Sequence, residues 1–333
     1  MNLRGTLLAA AGAAALTACG GGDSGGGAPP TGGGAPPTGG GGGPAPTPTP
    51  TPTPTFSYTK YVDLEGDQNY YSACVGAGPI LRGVAVGDAP PSSLGIQVFG
   101  QDGLVTFTEA TETWQVAIPN GQSESFGPAD LQASTGPLII YQRSDDGDLE
   151  VLEIETLGSA STLREYSREL FFSLADTTAR LGTAYCSIGV PSEPDDLPDS
   201  TTVTYSNFDI EGAYYQQVGS SVESRRITGG SATVTGNTDT GEVAVDLSLE
   251  VEITGGGSQV FGPYSGTLTA SVDTDRVGYF GQLNLGGIPE FTLSGAFYGP
   301  QGTETSFVFA ADIDQDSDRF NEQFFVGRAS AKR

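Results

Sequence analysis

From Glu242 to Val251 the chain reads Glu-Val-Ala-Val-Asp-Leu-Ser-Leu-Glu-Val, apolar residues falling on every second position. Such a run buries one face only as a β-strand, whose side chains point alternately to opposite sides. The period recurs through the C-terminal part of the chain. Strands are read over Val203–Ile210, Ala213–Val218, Arg225–Thr235, Glu242–Ile253, Tyr264–Val272, Val277–Leu285, Phe291–Phe297, Thr305–Ile313 and Gln323–Ala329, with turn chemistry at Asn237–Gly241 and Thr254–Gly257. About eight meandering strands in ~130 residues fit an antiparallel up-and-down β-barrel, which closes its own edges.

The sharpest corner lies within Phe291–Phe309. Phe291, Leu293 and Phe297, then Phe307 and Phe309, keep period two, which predicts a hairpin with one wet and one buried face. Between the strands stand Tyr298, Gly299, Pro300, Gln301 and Gly302. The two glycines accept positive φ, and Pro300 fixes its own φ and removes a ladder donor, so both strands end there.

Upstream, strand signals are shorter: Ser57–Leu64, Gly95–Phe99, Val105–Thr108, Thr113–Ile118, Leu138–Gln142, Leu149–Glu155 and Thr183–Val190, with turns at Gln101–Gly103 and Ser144–Asp148. Leu163–Leu174 fits a helical face as well as a strand and is read as strand. Gly76-Ala77-Gly78 lacks the third glycine of a dinucleotide-binding loop and carries no phosphate site. Val190–Ser200, with three prolines and four acids, reads as a linker. The chain therefore divides into residues 56–195, a β-rich domain, and residues 200–333, the barrel.

The N-terminus is of a different kind. Residues 1–18 carry Arg4, then an apolar run from Leu7 to Leu16 too short to span a bilayer, as in a signal peptide. Leu16-Thr17-Ala18-Cys19 resembles a bacterial lipobox, which makes Cys19 the expected lipidation site; an ordinary secretory signal is the alternative. Each buried acyl methylene contributes ~0.8 kcal/mol, so several chains on one cysteine hold a protein to a membrane. Gly20 in place of Asp resembles the outer-membrane sorting pattern of Gram-negative lipoproteins. Residues 19–55 are otherwise almost entirely Gly, Pro, Thr and Ala, a composition that buries no core and makes a disordered tether.

All but one of the 40 acidic and all but one of the 14 basic residues follow the tether, and the formal charge is −26. That field repels nucleic acid and anionic lipid and favours solubility or a cationic partner. Besides Cys19 only Cys74 and Cys186 remain, and in an exported chain they are expected to form a disulfide, which in the chain-entropy model contributes up to ~4.7 kcal/mol. The absence of histidine removes a Ser-His-Asp triad, a zinc hydrolase site and His-ligated haem. No catalytic residue, metal site or cofactor is assigned, and the chain is read as a non-enzyme. Asp312, Asp314 and Asp316 start like a calcium loop, but Ser317 and Gln323 stand where Gly and Glu are needed, so a solvated loop is the reading. Tyr70, Tyr71, Tyr214 and Tyr215 are either exposed contacts or core-facing partners.

Gly295-Ala296-Phe297-Tyr298-Gly299-Pro300-Gln301, followed by a Phe-rich strand, resembles the matching segment in the barrel domains of transferrin-binding protein B and related surface lipoproteins. Val190-Pro191-Ser192 and Leu197-Pro198, running into Thr204-Tyr205-Ser206 and Gly212, resemble that family's entry into the barrel. Thr303-Glu304-Thr305-Ser306 departs from many relatives. The resemblance implies an all-β protein of a handle-like β domain followed by an eight-stranded barrel, lipid-anchored at the outer membrane and surface-exposed. It implies a ligand, such as a metal-carrying protein, haem or another solute, and work alongside a TonB-dependent outer-membrane transporter. It carries over no ligand-binding residue. The alternative is a structural or adhesive surface lipoprotein without a small ligand.

Overall fold

The computed structural model describes residues 56–81, 94–100, 105–117, 123–145, 148–158, 162–175, 180–198, 202–218, 221–253, 255–273, 276–285, 288–313 and 323–333. Cys19 with its leader and tether lies outside them, as do Asp314 and Asp316 of the calcium reading.

The first sheet comprises β1 (Gln68–Leu81), β2 (Leu94–Gln97), β3 (Val105–Thr108), β4 (Thr113–Ala117), β5 (Ser123–Phe126), β6 (Leu131–Thr135), β7 (Leu138–Asp145), β8 (Asp148–Glu155), β9 (Ser167–Ala175) and β10 (Arg180–Gly189). Its order is β5-β4-β3-β1-β10-β9-β8-β7-β6, with β2 on β1. The sheet curls until it nearly closes: Arg143 of β7 reaches the carbonyl of Ser125 (2.7 Å) and the carboxylate of Glu124 (2.6 Å) on β5. The second sheet comprises β11 (Val203–Tyr205), β12 (Asp209–Val218), β13 (Ser221–Asn237), β14 (Glu242–Glu252), β15 (Ser258–Asp273), β16 (Arg276–Leu285), β17 (Ile288–Tyr298), β18 (Glu304–Ile313) and β19 (Gln323–Lys332). Strands β12 to β19 pair antiparallel in sequence, and β12 pairs β19, which closes an eight-stranded barrel. Both sheets lie in one unit, Pro54–Arg333.

The barrel interior is a packed core. Val243, Val245, Leu247, Leu249 and Val251 point inward together with Tyr214, Tyr279, Phe291, Phe307, Phe309 and Phe325. A Cβ on Gly295 would sit 2.5 Å from the Ser306 carbonyl oxygen, 2.6 Å from Phe307 Cβ and 2.7 Å from the Tyr279 ring, so the missing side chain admits that ring and the close approach of β18. Glu242, Ala244 and Asp246 face outward into solvent. A transmembrane barrel has the reverse pattern, an apolar outside and a polar lumen.

The structure corrects the expectation of one wet face for the Phe291–Phe309 hairpin, because both faces are buried. Phe291, Leu293 and Phe297 point into the barrel, while Ala296, Tyr298, Val308 and Ala310 point out under Ala73, Val75, Phe99 and Tyr185 of the first sheet. The neighbours Phe297 and Tyr298 thus anchor two different cores. Tyr298 Oη lies 3.0 Å from Ser187 Oγ, and its ring meets Phe99 edge-on.

Polar clamps complete this junction. The buried Glu304 carboxylate accepts the amides of Glu165, Tyr166 and Ser167 (2.5, 3.1 and 3.0 Å) and the Ser167 hydroxyl (2.8 Å). Arg328, 1% exposed, donates from Nη2 to Glu155 (2.9 Å) and Glu211 (3.0 Å). Arg164 reaches Asp209 (3.0 Å) and the Ser330 carbonyl (2.7 Å). The Glu304 bonds, the Arg328–Glu155 pair and Arg164 join the first sheet region to the barrel and hold one docking register, while Arg328–Glu211 links β19 to β12 within the barrel.

Residues 190–198 are more than a linker. Ser192 N–H donates to Phe297 O and Gly299 N–H to Val190 O, both at 2.9 Å, while Ser192 Oγ donates to Gly299 O at 2.6 Å. Asp196 accepts the amide of Gln301 at 2.8 Å. Asp196, and Pro191 through its bridge to Tyr298, thus pin the segment read as a linker to the corner. Two strands also differ from expectation. Ser57–Leu64 is extended chain with a 3₁₀ turn at Tyr61–Asp63, where the three-residue spacing of Tyr61 and Leu64 turns both toward the first-sheet core. Val203–Ile210 is interrupted at residues 206–208, where Asn207 takes φ 61°. Leu163–Leu174 is loop, then β9, and β1, β5 and β6 are strands outside those read from the sequence.

Candidate functional site

Cys74 and Cys186 are bonded, as expected, and stand opposite each other on β1 and β10, inside the first sheet. They belong to its core with Val116, Phe126, Leu152 and Phe172. The turn residues Phe297 to Gln301 belong to the junction just described. Of these residues Phe297 borders a small cavity of about 120 Å³, shared with Leu197, Tyr205 and Val277.

An open surface does occur at the end of the curled first sheet. There Tyr61, Tyr70, Phe107, Trp114, Ile139 and Arg168 line a cleft of about 670 Å³. The alternation of β1 sends Tyr70 inward with Cys74, and that of β4 sends Trp114 inward with Val116. Tyr61 arrives from the 3₁₀ turn, held by its N–H to the Glu165 carbonyl at 2.9 Å. The rings form a nearly parallel series: Tyr61 on Tyr70 at 5.6 Å and 18°, Tyr70 on Trp114 at 5.8 Å and 10°. Phe107 packs on Trp114 at 5.0 Å.

Arg168 lies beneath, its guanidinium 4.3 Å from the Tyr61 ring centroid, a cation–π contact in a desolvated setting. Its Nη1 donates to the carbonyls of Ser167 (2.6 Å) and Arg164 (3.1 Å). Burial lowers Arg168 from its ordinary value, and burial raises both Tyr61 and Tyr70 above theirs. At neutral pH the cleft therefore presents uncharged phenols over one fixed cation. Its rim is apolar, with Val62 71% and Leu163 39% exposed. An apolar rim around stacked rings suits insertion of apolar or aromatic groups.

The four tyrosines read as contacts or core partners divide accordingly. Tyr70, Tyr214 and Tyr215 are buried, and Tyr71 is exposed against Phe99. Only Tyr70 borders the cleft. Trp114 is the chain's one tryptophan, and that singularity was the available sequence signal. Tyr61 comes from a 3₁₀ turn in a segment that sequence periodicity assigned to a strand, and Arg168 from β9, within the stretch read as strand. Among the described residues no group of three or more His, Cys, Asp and Glu side chains is placed to hold a metal.

No protein-family model and no curated protein sequence matches the chain. Among solved structures it is similar to transferrin-binding protein B, the family that the Gly295–Gln301 segment resembles. A double mutant of that protein from Haemophilus parasuis aligns at 13% identity and TM-score 0.41, over 79% of this chain and 45% of that one. The protein from Neisseria meningitidis aligns at 13% identity and TM-score 0.39, over 79% and 43%. HpuA from Kingella denitrificans, solved in complex with human haemoglobin, aligns at 15% identity and TM-score 0.34, over 80% and 87%. The chain thus spans under half the length of the two transferrin-binding protein B chains.

Proposed function

We propose that the chain is a non-catalytic, outer-membrane surface lipoprotein that captures a metal-carrying protein, haem or another solute in support of nutrient uptake. In this reading Cys19 carries the lipid, residues 19–55 are the tether, residues 56–195 the handle-like ligand domain and residues 200–333 the barrel that supports it. A TonB-dependent transporter is the expected recipient. The observation that carries the proposal is the aromatic cleft: Tyr70, Trp114 and Arg168 belong to the buried interior and form its floor, and the half-buried Tyr61 and Phe107 with the exposed Val62 and Leu163 leave an apolar opening above them. Barrel packing points the same way, because among the described residues Phe and Tyr fill the lumen and leave beside Phe297 a cavity of only about 120 Å³.

The test is capture on the immobilised chain of haemoglobin, iron-loaded transferrin and haemin, alongside serum and outer-membrane extract, under iron-replete and iron-limited conditions. The variant Val62→Asp/Leu163→Asp changes only exposed rim side chains and should fold normally. The proposal expects a species retained by the natural chain and lost by the variant. A clean blank throughout, or undiminished retention by the variant, contradicts it and leaves a structural or adhesive surface protein.

A further inference from the structure

The two sheets meet over a buried network and part beside it. Cross-strand register arranges the face of β8, β9 and β10 in rows. Glu155, Glu169 and Ser187 form one row; Glu153, Phe171 and Tyr185 form the next. The first row is clamped to the barrel, Glu155 by Arg328 and Glu169 by Ser306 Oγ at 2.5 Å. At the second row the sheets separate and leave a groove of about 690 Å³. Glu153, Phe171 and Thr183 form its handle wall; Arg226, Ile227 and Glu252 form its barrel wall. Arg328 and Glu211 lie at the base. Thr183 bridges the junction through Tyr215 Oη at 3.0 Å.

The lining is of mixed charge. Arg225, Arg226 and Arg328 bring three of the chain's 14 basic residues to one groove of a molecule with net charge −26. Arg225 is paired with Glu223 at 2.8 Å, and Arg226 makes no hydrogen bond or ion pair among the described residues. Arg328 is buried, and its Nε and Nη1 have no partner beyond the two carboxylates on Nη2. Glu153 and Glu252 supply carboxylates from opposite walls. A simple anion here meets Glu153, Glu211 and Glu252, and a simple cation meets three guanidiniums. A molecule with a carboxylate and an ammonium on a short spacer satisfies both signs at once, and Phe171, Ile227 and Ile253 accept the spacer.

We propose that this groove binds a small zwitterionic solute, of the class of amino acids and short peptides with free termini, at a site separate from the aromatic cleft. The test uses dialanine, its N-acetyl form and its C-terminal amide in calorimetric titration of the full chain. Dialanine gives a saturable heat, and each blocked form binds about tenfold or more weakly, since each loses one charge pair. Arg226→Ala and Glu153→Gln, at positions outside every core, each weaken dialanine by a similar factor without moving the melting temperature or Trp114 emission. Val62→Asp/Leu163→Asp leaves dialanine binding intact. The absence of a dialanine heat, equal heats from all three compounds, or undiminished binding by Arg226→Ala overturns the proposal.

Discussion

At Gly299 the backbone takes φ 72°, and a Cβ there would overlap the Tyr166 ring and lie 2.8 Å from Thr303 Oγ1. Gly299→Val combines left-handed strain with steric overlap, and a loss of about 2–4 kcal/mol is expected, read as a lower melting temperature with capture by the cleft retained in the folded fraction. Glu169 behaves differently. Burial raises its carboxyl to about 8, against the attraction of Arg328. Between the ordinary value of 4.5 and about 8 the folded chain holds a proton that the unfolded chain has released. Stability from this group is therefore full below that window and declines as pH rises through it, by up to about 1.4 kcal/mol per pH unit. Glu169→Gln keeps a hydrogen-bonding partner for Ser306 and removes the titration. Denaturant melts across the window should show the variant gaining on the natural chain as pH rises; parallel curves would contradict the assignment. Glu304→Ala strands three backbone amides and is expected to cost several kcal/mol, because each buried donor left without a partner costs about 1–3.

Elements differ in how openly the sequence declares them. Glu242–Glu252 is legible to within one residue, since one face meets water and the other the lumen. Strands β17 to β19 were placed well, but their second buried face was hidden: Ala296, Ser306 and Ala310 are small enough to read as solvent-facing, and only the docked first sheet makes them core. The short strands β5 and β6 do not show in the sequence because Phe126 is their one buried side chain and leaves almost no apolar period, and β1 does not because Ser72, Ala73, Cys74, Val75 and Ala77 are buried on both faces and show no alternation. The disulfide was legible from cysteine count, though not its position between adjacent strands. Its reduction should lower the melting temperature, within the ~4.7 kcal/mol bound for a long closed loop, and leave the far-UV spectrum of the sheets intact while folded. Arg328→Met removes the cation facing Glu155 and Glu211. The expected loss at neutral pH lies below the about 3–5 kcal/mol of a fully buried pair, because Glu155 and Glu211 are 29% and 43% exposed, and the part owed to Glu155 should shrink as acid protonates it.

For the whole molecule, the two sheets act as one body because a continuous apolar layer and three polar clamps join them. The barrel then serves as a rigid support, and the curled first sheet presents its open end. The cleft was not legible in the sequence, since its residues come from Tyr61, Tyr70, Phe107, Trp114 and Arg168, contributed by separate strands and a 3₁₀ turn. The charge of −26 was legible from composition alone. The most direct measurement is a hydrogen-exchange footprint of the chain with and without the species retained in the capture experiment. The account predicts new protection in peptides covering residues 61–70, 105–117 and 136–139, with the outer strands β14 and β15 unchanged. Protection confined to the barrel, with those three segments unaltered, would contradict it.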